Sequence, residues 1–355
     1  MSRIQTSTIP EQTAVHLREG IASGRWLDEM PGRDHLAKEL GVSPRSIQKA
    51  LDILKREGLL VPQGQGRSNR IQASREGLEV KPMRVAVLLF KQMDRNDPIV
   101  IELRHQLNDA GHFTIFPNEG VQDLGMDVKR VERLVKKTKA DVWVVPGGSR
   151  KILQWFVEQN IRAFALAGRR FNVQIAGTGP NKPPLYAEVT RKLIELGHKR
   201  IVMVCSRILR IPEPSMTARV FIDTMEAHGI RTGLYNLPEW EESEEGFHEL
   251  LDSLFQTTPP TALILDEPFQ FHAAYHYLSH HQLRVPEDVS MVCTDADLGF
   301  NWCRPSVAHF YWDYQPVVRR IMRWVNNVAR GIDDQRKSFT KAEFIDGGTI
   351  GPAPD

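Results

Sequence analysis

Five polar side chains near the amino end have the types and spacing to read a nucleic acid. Arg45, Ser46, Gln48, Lys49 and Asp52 share one side of a helical repeat whose other side is Ile47, Ala50, Leu51, Ile53 and Leu54. Arginine and glutamine fork onto the edges of guanine and adenine, so such a face can discriminate base pairs. Just downstream, Arg67 and Arg70 follow the Gly64-Gln65-Gly66 turn and suit phosphate or the minor groove. Between Pro44 and Arg75 seven Lys and Arg face only Asp52 and Glu57, although the whole chain carries a net charge of just +2. That local excess favours a polyanionic partner.

The flanking residues supply elements to hold this face. Leu36, Ala37 and Leu40 line one side of a helix predicted from about Asp34 to Leu40. Gly41 can take the positive φ of a helix end, Val42 is an apolar plug between helices, and Ser43 caps the next helix with Pro44 at its first position. Gly58 ends that helix, Leu59, Leu60 and Val61 can start a strand, and the glycines can turn it. Helix, turn, helix and basic hairpin in that order predict a winged helix-turn-helix, with the second helix offered to the major groove.

The segment from His16 to Ile71, with VHLREGIASGRW, Met30-Pro31, LAKELGVS, ALDILKREGLL and a glycine wing, resembles the N-terminal domain of the GntR family. The chain departs from the usual pattern at Arg33 and Asp34 (Glu-Arg in the family), at Pro44 (Arg) and at Gln48 (a second Arg). The resemblance implies the fold and contacts with double-stranded DNA. The expected DNA-facing set is Arg33, Ser43, Arg45, Ser46, Gln48, Lys49, Gly64, Gly66, Arg67 and Arg70. Arg33 would replace the lost phosphate contact, and Arg45 and Gln48 would read bases.

A polar link follows, giving expected domains of 1–72 for the head, 73–83 for the linker and 84–355 for the body. Beyond it, short apolar runs (Val85–Phe90, Phe113–Phe116, Val142–Val145, Ala163–Leu166, Val173–Ala176, Ile201–Val204, Ala262–Leu265, Val289–Val292) alternate with amphipathic stretches such as Ile99–Ala110, Val128–Thr138 and Leu185–Leu196. Alternation of this kind implies α/β architecture, parallel sheets with helices on both faces. The body is too long for one doubly wound core, so two lobes are expected, with a ligand cleft at the carboxyl ends of the strands. The loop after the first strand, Lys91–Asp97, should face that cleft with Asp94 and Asn96.

LIELGHKRIVMV (Leu193–Val204), TALILDEPF (Thr261–Phe269) and LRVPEDVSMVCTDAD (Leu283–Asp297) resemble the periplasmic-binding-protein-like sensor of the LacI/GalR family, a likeness spanning Arg84 to about Arg330. It implies a two-lobed effector-binding domain. By family position, Arg219 in SMTARVFIDTM would fork onto hydroxyls or a carboxylate, and Asp295 would accept from sugar hydroxyls. Tyr314 matches a family aromatic. The family's Asn-Asp pair falls on Glu267-Pro268, so either Asp266 or Glu267 would take its role. A GntR-type head on a LacI-type sensor resembles the arabinose-repressor arrangement. It implies a homodimeric regulator, a repressor, controlled by a small sugar-like effector.

Other signals carry less. His272, His276 and His280 recur every four residues, but without a carboxylate or cysteine completing the set they predict no metal site. Cys205, Cys293 and Cys303 form neither a ligand pair nor a disulfide framework and fit a reducing cytoplasm. No apolar leader and no run of 18 apolar residues occurs, so neither export nor a membrane span is expected. No P-loop, nucleophile elbow, HExxH or dinucleotide fingerprint is found, and no cofactor is expected. The alternatives are an enzyme-like body, for which a pyridoxal-binding lysine is missing, and an all-helical metal-sensing body, against which the repeated strands argue. Trp240–Gly246 reads as a solvated acidic patch and Gly347-Gly348-Thr349 as a terminal loop.

Overall fold

The computed structural model describes residues 8–22, 26, 29–64, 68–71 and 81–354. The chain divides into two compact units, 1–81 and 82–355.

The first unit holds α1 (Ile9–Ala22), β1 (Glu29–Met30), α2 (Arg33–Leu40), α3 (Pro44–Arg56), β2 (Leu60–Val61) and β3 (Asn69–Ile71). The strands form an antiparallel sheet in the order β1-β3-β2, with Val61 and Glu29 both opposite Arg70. Gly41 closes α2 at φ 65°, and Ser43 caps α3 by accepting from the Ser46 N–H. The α3 stripe of Ile47, Ala50, Leu51 and Leu54 is buried against Leu17, Met30, Leu36, Leu60 and Ile71. Burying that stripe fixes which side of α3 faces solvent. Arg18 grips Glu57 at the end of α3 (2.6 Å), tying α1 to it.

The second unit is two parallel α/β lobes, as the alternation of strands and helices predicted. Lobe 1 has β4 (Arg84–Val87), β5 (Phe113–Ile115), β6 (Val142–Pro146), β7 (Ala163–Leu166) and β8 (Ala176–Thr178), ordered β5-β4-β6-β7-β8 and all parallel. Helices α4 (Pro98–Asp109), α5 (Val128–Lys137) and α6 (Arg150–Glu158) cover it. Lobe 2 contains α7 (Pro183–Glu195), β9 (Ile201–Val204), α8 (Arg207–Arg210), α9 (Met216–Ala227), α10 (Glu244–Thr257), β10 (Ala262–Leu265), α11 (Pro268–His280), β11 (Ser290–Cys293) and β12 (Ala308–Trp312). The chain then returns to lobe 1 as α12 (Gln315–Ala329), whose Val317, Ile321, Trp324 and Val328 complete that lobe's core. It crosses back once more to β13 (Ala342–Ile345), an antiparallel edge on the sheet β13-β12-β11-β10-β9. Central strands such as Ile201–Val204 and Ala262–Leu265 are buried along their whole length, because helices pack on both faces of each sheet.

Three connections therefore join the lobes. The last of them, residues 330–341, is anchored on lobe 1. Buried Asp334 accepts from Arg320, Asn327 and Arg336. Burial alone would lift the Asp334 carboxyl, but these partners hold it well below the usual carboxylate range. Farther along, Ser338 and Thr340 donate to the Gly177 and Gly179 carbonyls, both at 3.0 Å.

Several expectations shift here. The run Val173–Ala176 is not a strand. Val173 and Ile175 are buried in a bend and the strand begins at Ala176. The acidic patch is not simply solvated, since Glu242 accepts from Gln122 of lobe 1 and from the Arg207 backbone, and Ser243 caps α10. Thr349 is fully buried, donating to the Met291 carbonyl and accepting from Ala308 N–H, so the glycine run leads into the core of lobe 2.

Candidate functional site

On the head, Arg45 and Lys49 are exposed on the solvent side of α3, with Ser46 and Gln48 half-buried beside them. Gln48 donates to Asp52 one turn on (3.0 Å), which orients its amide. The second N–H and the carbonyl oxygen are the pair needed for an adenine edge. The Ser43 hydroxyl is engaged as the cap and touches the Ser46 hydroxyl at 2.9 Å. Arg33 begins α2 and pairs with its neighbour Asp34 (2.9 Å). Gly64, shortly after β2, takes φ 110°, and Arg70 is exposed on β3. Gly66 and Arg67 lie outside the described residues.

In the body, a cavity of about 530 Å³ lies between the lobes, at the carboxyl ends of both sheets. Lobe 1 contributes the loops after β4 (Asp94, Asp97), β6 (Gly147, Arg150) and β7 (Ala167–Asn172). From lobe 2 come the segment after β9 (Glu213–Thr217, Arg219), Asp266 after β10, Asp295 after β11, and Trp312 at the end of β12. Lys182 and Tyr186 stand where the chain enters α7. Strand ends of a parallel sheet converge in this way because every crossover returns the chain to the same edge.

The cleft has an acidic region with one ammonium in it. Asp295 accepts from Lys182 (3.0 Å) and from the Trp312 indole N–H (2.9 Å). Tyr186 donates to Thr294, and Thr294 to Asp266 (3.2 Å). Burial raises Asp266, with Asp295 adding to it, and burial followed by Asp266 pushes Glu267 up to about 7. Burial would lower the Lys182 ammonium, but Asp295, Asp266 and Glu267 outweigh it and its pKa rises. Carboxylates held this way accept from hydroxyls in fixed directions.

A second region is rich in guanidinium. Arg169, from lobe 1, donates to the Ile208 carbonyl (2.6 Å) and reaches the Glu213 carboxylate (3.4 Å), and Arg150 meets the same carboxylate at 3.1 Å. These bonds span the lobes and latch one edge of the cleft. Gly168 lets the β6 and β7 loops touch backbone to backbone. It sits at φ 65°, and a Cβ there would lie 2.7 Å from Gly148 N. Arg170 is buried, stacked on Phe171 and Phe339 with its guanidinium carbon 5.0 and 5.2 Å from the ring centres. Burial lowers it to about 10, which leaves it charged at neutral pH.

Of the sequence-predicted residues, Asp94, Arg219, Asp266 and Asp295 meet in this cavity. Asn96 is exposed on a 3-10 turn beside it, and Glu267 stands behind Asp266 as the cap of α11. Tyr314 precedes the first turn of α12 and packs on the lobe 1 core; the aromatic that lines the cavity from this segment is Trp312 instead. Sequence reasoning missed Arg150, Arg169, Arg170, Lys182, Glu213 and Trp312. Arg169 and Arg170 follow a predicted strand directly, so the strand-end rule applied to Lys91–Asp97 would have found them.

Residues 10–68 match the family model for bacterial regulatory proteins of the gntR family, and residues 190–350 match the periplasmic binding protein-like domain. The HTH-type transcriptional repressor PurR of Haemophilus influenzae is 32% identical over 111 residues, 30% of this chain and 32% of that protein. The chain thus matches about a third of the length of these curated relatives. Among solved structures, a transcriptional regulator CelR-cellobiose complex aligns with a TM-score of 0.61 at 16% identity, over 90% of this chain and all of that one. A LacI family regulator from Enterococcus faecium with bound ribose (TM-score 0.60, 12% identity) covers 76% of this chain and 99% of its own. The lac repressor dimer bound to operator and the anti-inducer ONPF (TM-score 0.60, 14% identity) covers 76% and 95%.

The fold and these matches define a two-part architecture. More particularly, this chain joins a winged helix-turn-helix head that matches the gntR-family model to a periplasmic binding protein-like domain whose fold is shared with LacI family regulators.

Proposed function

We propose that the protein is a cytoplasmic transcription repressor. It binds double-stranded operator DNA as a homodimer, and a small polar effector, a sugar or sugar derivative, sets its operator affinity from the interlobe cavity. The observation that carries this reading is the cavity itself, to which both lobes bring convergent carboxylates and guanidiniums, in a chain whose head exposes Arg45 and Lys49 on a groove-sized helix. An effector that binds one arrangement of the lobes more tightly shifts the population toward it, and its leverage equals that difference in affinity. Two heads grip two half-sites only when spaced by whole helical turns, so such a shift changes DNA affinity. The sugar assignment is supported by the cellobiose and ribose carried by the two solved neighbours. Arg33, Ser43, Arg45, Ser46, Gln48, Lys49 and Arg70 serve the DNA side; Asp94, Arg219, Asp266 and Asp295 serve the effector.

The test is fluorescence anisotropy of the full-length protein on duplexes drawn from the DNA flanking its own gene. Salt is varied, and a panel of sugars, sugar acids and sugar phosphates is added. Salt-dependent, sequence-selective binding that one panel member shifts at least tenfold is the expected result. Binding with no sequence preference, or insensitive to every small molecule that stabilises the protein, would remove the proposal.

A further inference from the structure

We infer that the effector carries an anionic group, a carboxylate or a phosphate ester, and that Arg170 receives it. The inference rests on the reading of the interlobe cavity as the effector site.

Arg170 lines that cavity and is only 4% exposed. Its Nη2 has no hydrogen-bond partner, and among the described residues no carboxylate pairs with it. A buried guanidinium without a counter-ion is costly, and a ligand anion is the group that would complete it. Its surroundings are built for a fork rather than for packing. The rings of Phe171 and Phe339 lie against the guanidinium, which fixes its plane while accepting nothing from its in-plane N–H groups. The side chain also passes where only glycine leaves room, since a Cβ on Gly177 would sit 2.9 Å from Arg170 Cδ.

The other buried cations of the cleft are engaged. Arg169 holds Ile208 and Glu213, and Lys182 holds Asp295. Half-exposed Arg150 shares Glu213. Arg219 stands at the exposed rim, where water can solvate it. Arg210 also has a partnerless Nη2, but it does not line the cavity, so Arg170 is the cavity-lining cation whose environment asks for an anion. The carboxylates of Asp266 and Asp295, on the other lobe, repel an anion and accept from hydroxyls, so they set the opposite end of the ligand. The chemistry that fits both is an anionic polyol: a sugar acid or a phosphorylated sugar.

The experiment is calorimetric titration and thermal shift of the full-length protein with matched sets. Each set holds a neutral aldose (glucose, galactose, ribose or arabinose), its aldonate or uronate, and its terminal phosphate ester. Wild type is compared with Arg170→Met and Arg170→Lys. In one set the acid or the ester should bind at least about 30-fold tighter than its neutral parent, the size of a desolvated charge pair. Whichever of the two wins identifies carboxylate or phosphate. Arg170→Met should collapse that preference to within about threefold, and Arg170→Lys, which lacks the fork, should recover only part of it. Arg170→Met should also raise the melting temperature of the ligand-free protein, because it removes an unpaired buried charge; a merely structural arginine would lower it. A neutral sugar bound as tightly as its anionic derivatives, with binding lost in Asp295→Asn, overturns the inference while leaving the cavity as the effector site. An anion preference that survives Arg170→Met also overturns it. Absence of binding by any member at about 10 mM, about tenfold above a Kd of about 1 mM, overturns the sugar-type reading and the inference with it.

Discussion

Lys182→Met tests the acidic half of the cleft. In the native cluster one ammonium faces Asp295 at 3.0 Å, with Asp266 and Glu267 close enough to raise it further. Removing it leaves Asp266 and Asp295 without their ammonium, while Glu267 keeps the weaker influence of Lys91. Breaking a fully buried pair costs about 3–5 kcal/mol. Here the two side chains are 19% and 36% exposed, so water recovers part of the loss, leaving roughly 2–3 kcal/mol. For a body of this size that lowers the melting temperature by roughly 4–12 °C. The pH dependence distinguishes lost charge from lost packing. Asp266 and Glu267 already have folded-state pKa values above their unfolded ones. Whatever stability their protonation contributes is full below the unfolded values near 4 and fades as pH rises through the folded values, about 7 for Glu267. Without Lys182 those folded values rise further. The deficit of the variant should then be greatest at pH 7.5–8 and should shrink by more than half near pH 5, as read by circular dichroism melts. An equal deficit at both pH values would refute the electrostatic argument, and no deficit at pH 7.5 would refute the cluster itself.

On the head, Arg45→Ala should weaken operator binding by roughly 1–3 kcal/mol and relax preference at one base pair, measured by anisotropy on single-base operator variants. Arg70→Ala should weaken specific and non-specific duplexes alike and reduce the salt slope by about one. Asp295→Ala removes the acceptor of Lys182 and Trp312 and should abolish the effector response while the chain stays folded, since Asp266 remains beside the lysine; calorimetry showing unchanged effector binding would rule out this site. Gly168→Ala forces a Cβ to within 2.7 Å of the Gly148 backbone at φ 65° and should lower the melting temperature while separating the β6 and β7 loops.

The head was legible because its signals are local. Gly41, Ser43, Pro44 and Gly58 each specify a backbone conformation by their own chemistry, and the α3 stripe needs only its period. Buried parallel strands were legible too, since Ile201–Val204 or Ala262–Leu265 must be apolar on both faces. What escaped depends on neighbours distant in sequence. Strand β12 carries His309 and Tyr311 between buried positions, and β13 is a half-exposed edge, so neither presents a continuous run. Missing β12 also hid Trp312, whose indole reaches the cleft only because the strand ends there. Lys182 looked like any charge before a proline pair. Its meaning comes from Asp295, 113 positions away. Family position placed Arg219 and Asp295 in the cavity, but it could not place Arg170, which is distinguished by a buried Nη2 without a hydrogen-bond partner among the described residues.

The Asp334 clamp has a mechanical corollary. Because it rivets residues 332–340 to the first lobe, and Ser338 and Thr340 add backbone stitches to Gly177 and Gly179, that stretch travels as part of the first lobe in any rocking motion. Flexure is pushed into the few bonds between Thr340 and Ala342. Phe339 is thereby kept against Arg170 and Phe171, so the guanidinium and its two rings form one unit that belongs to the first lobe.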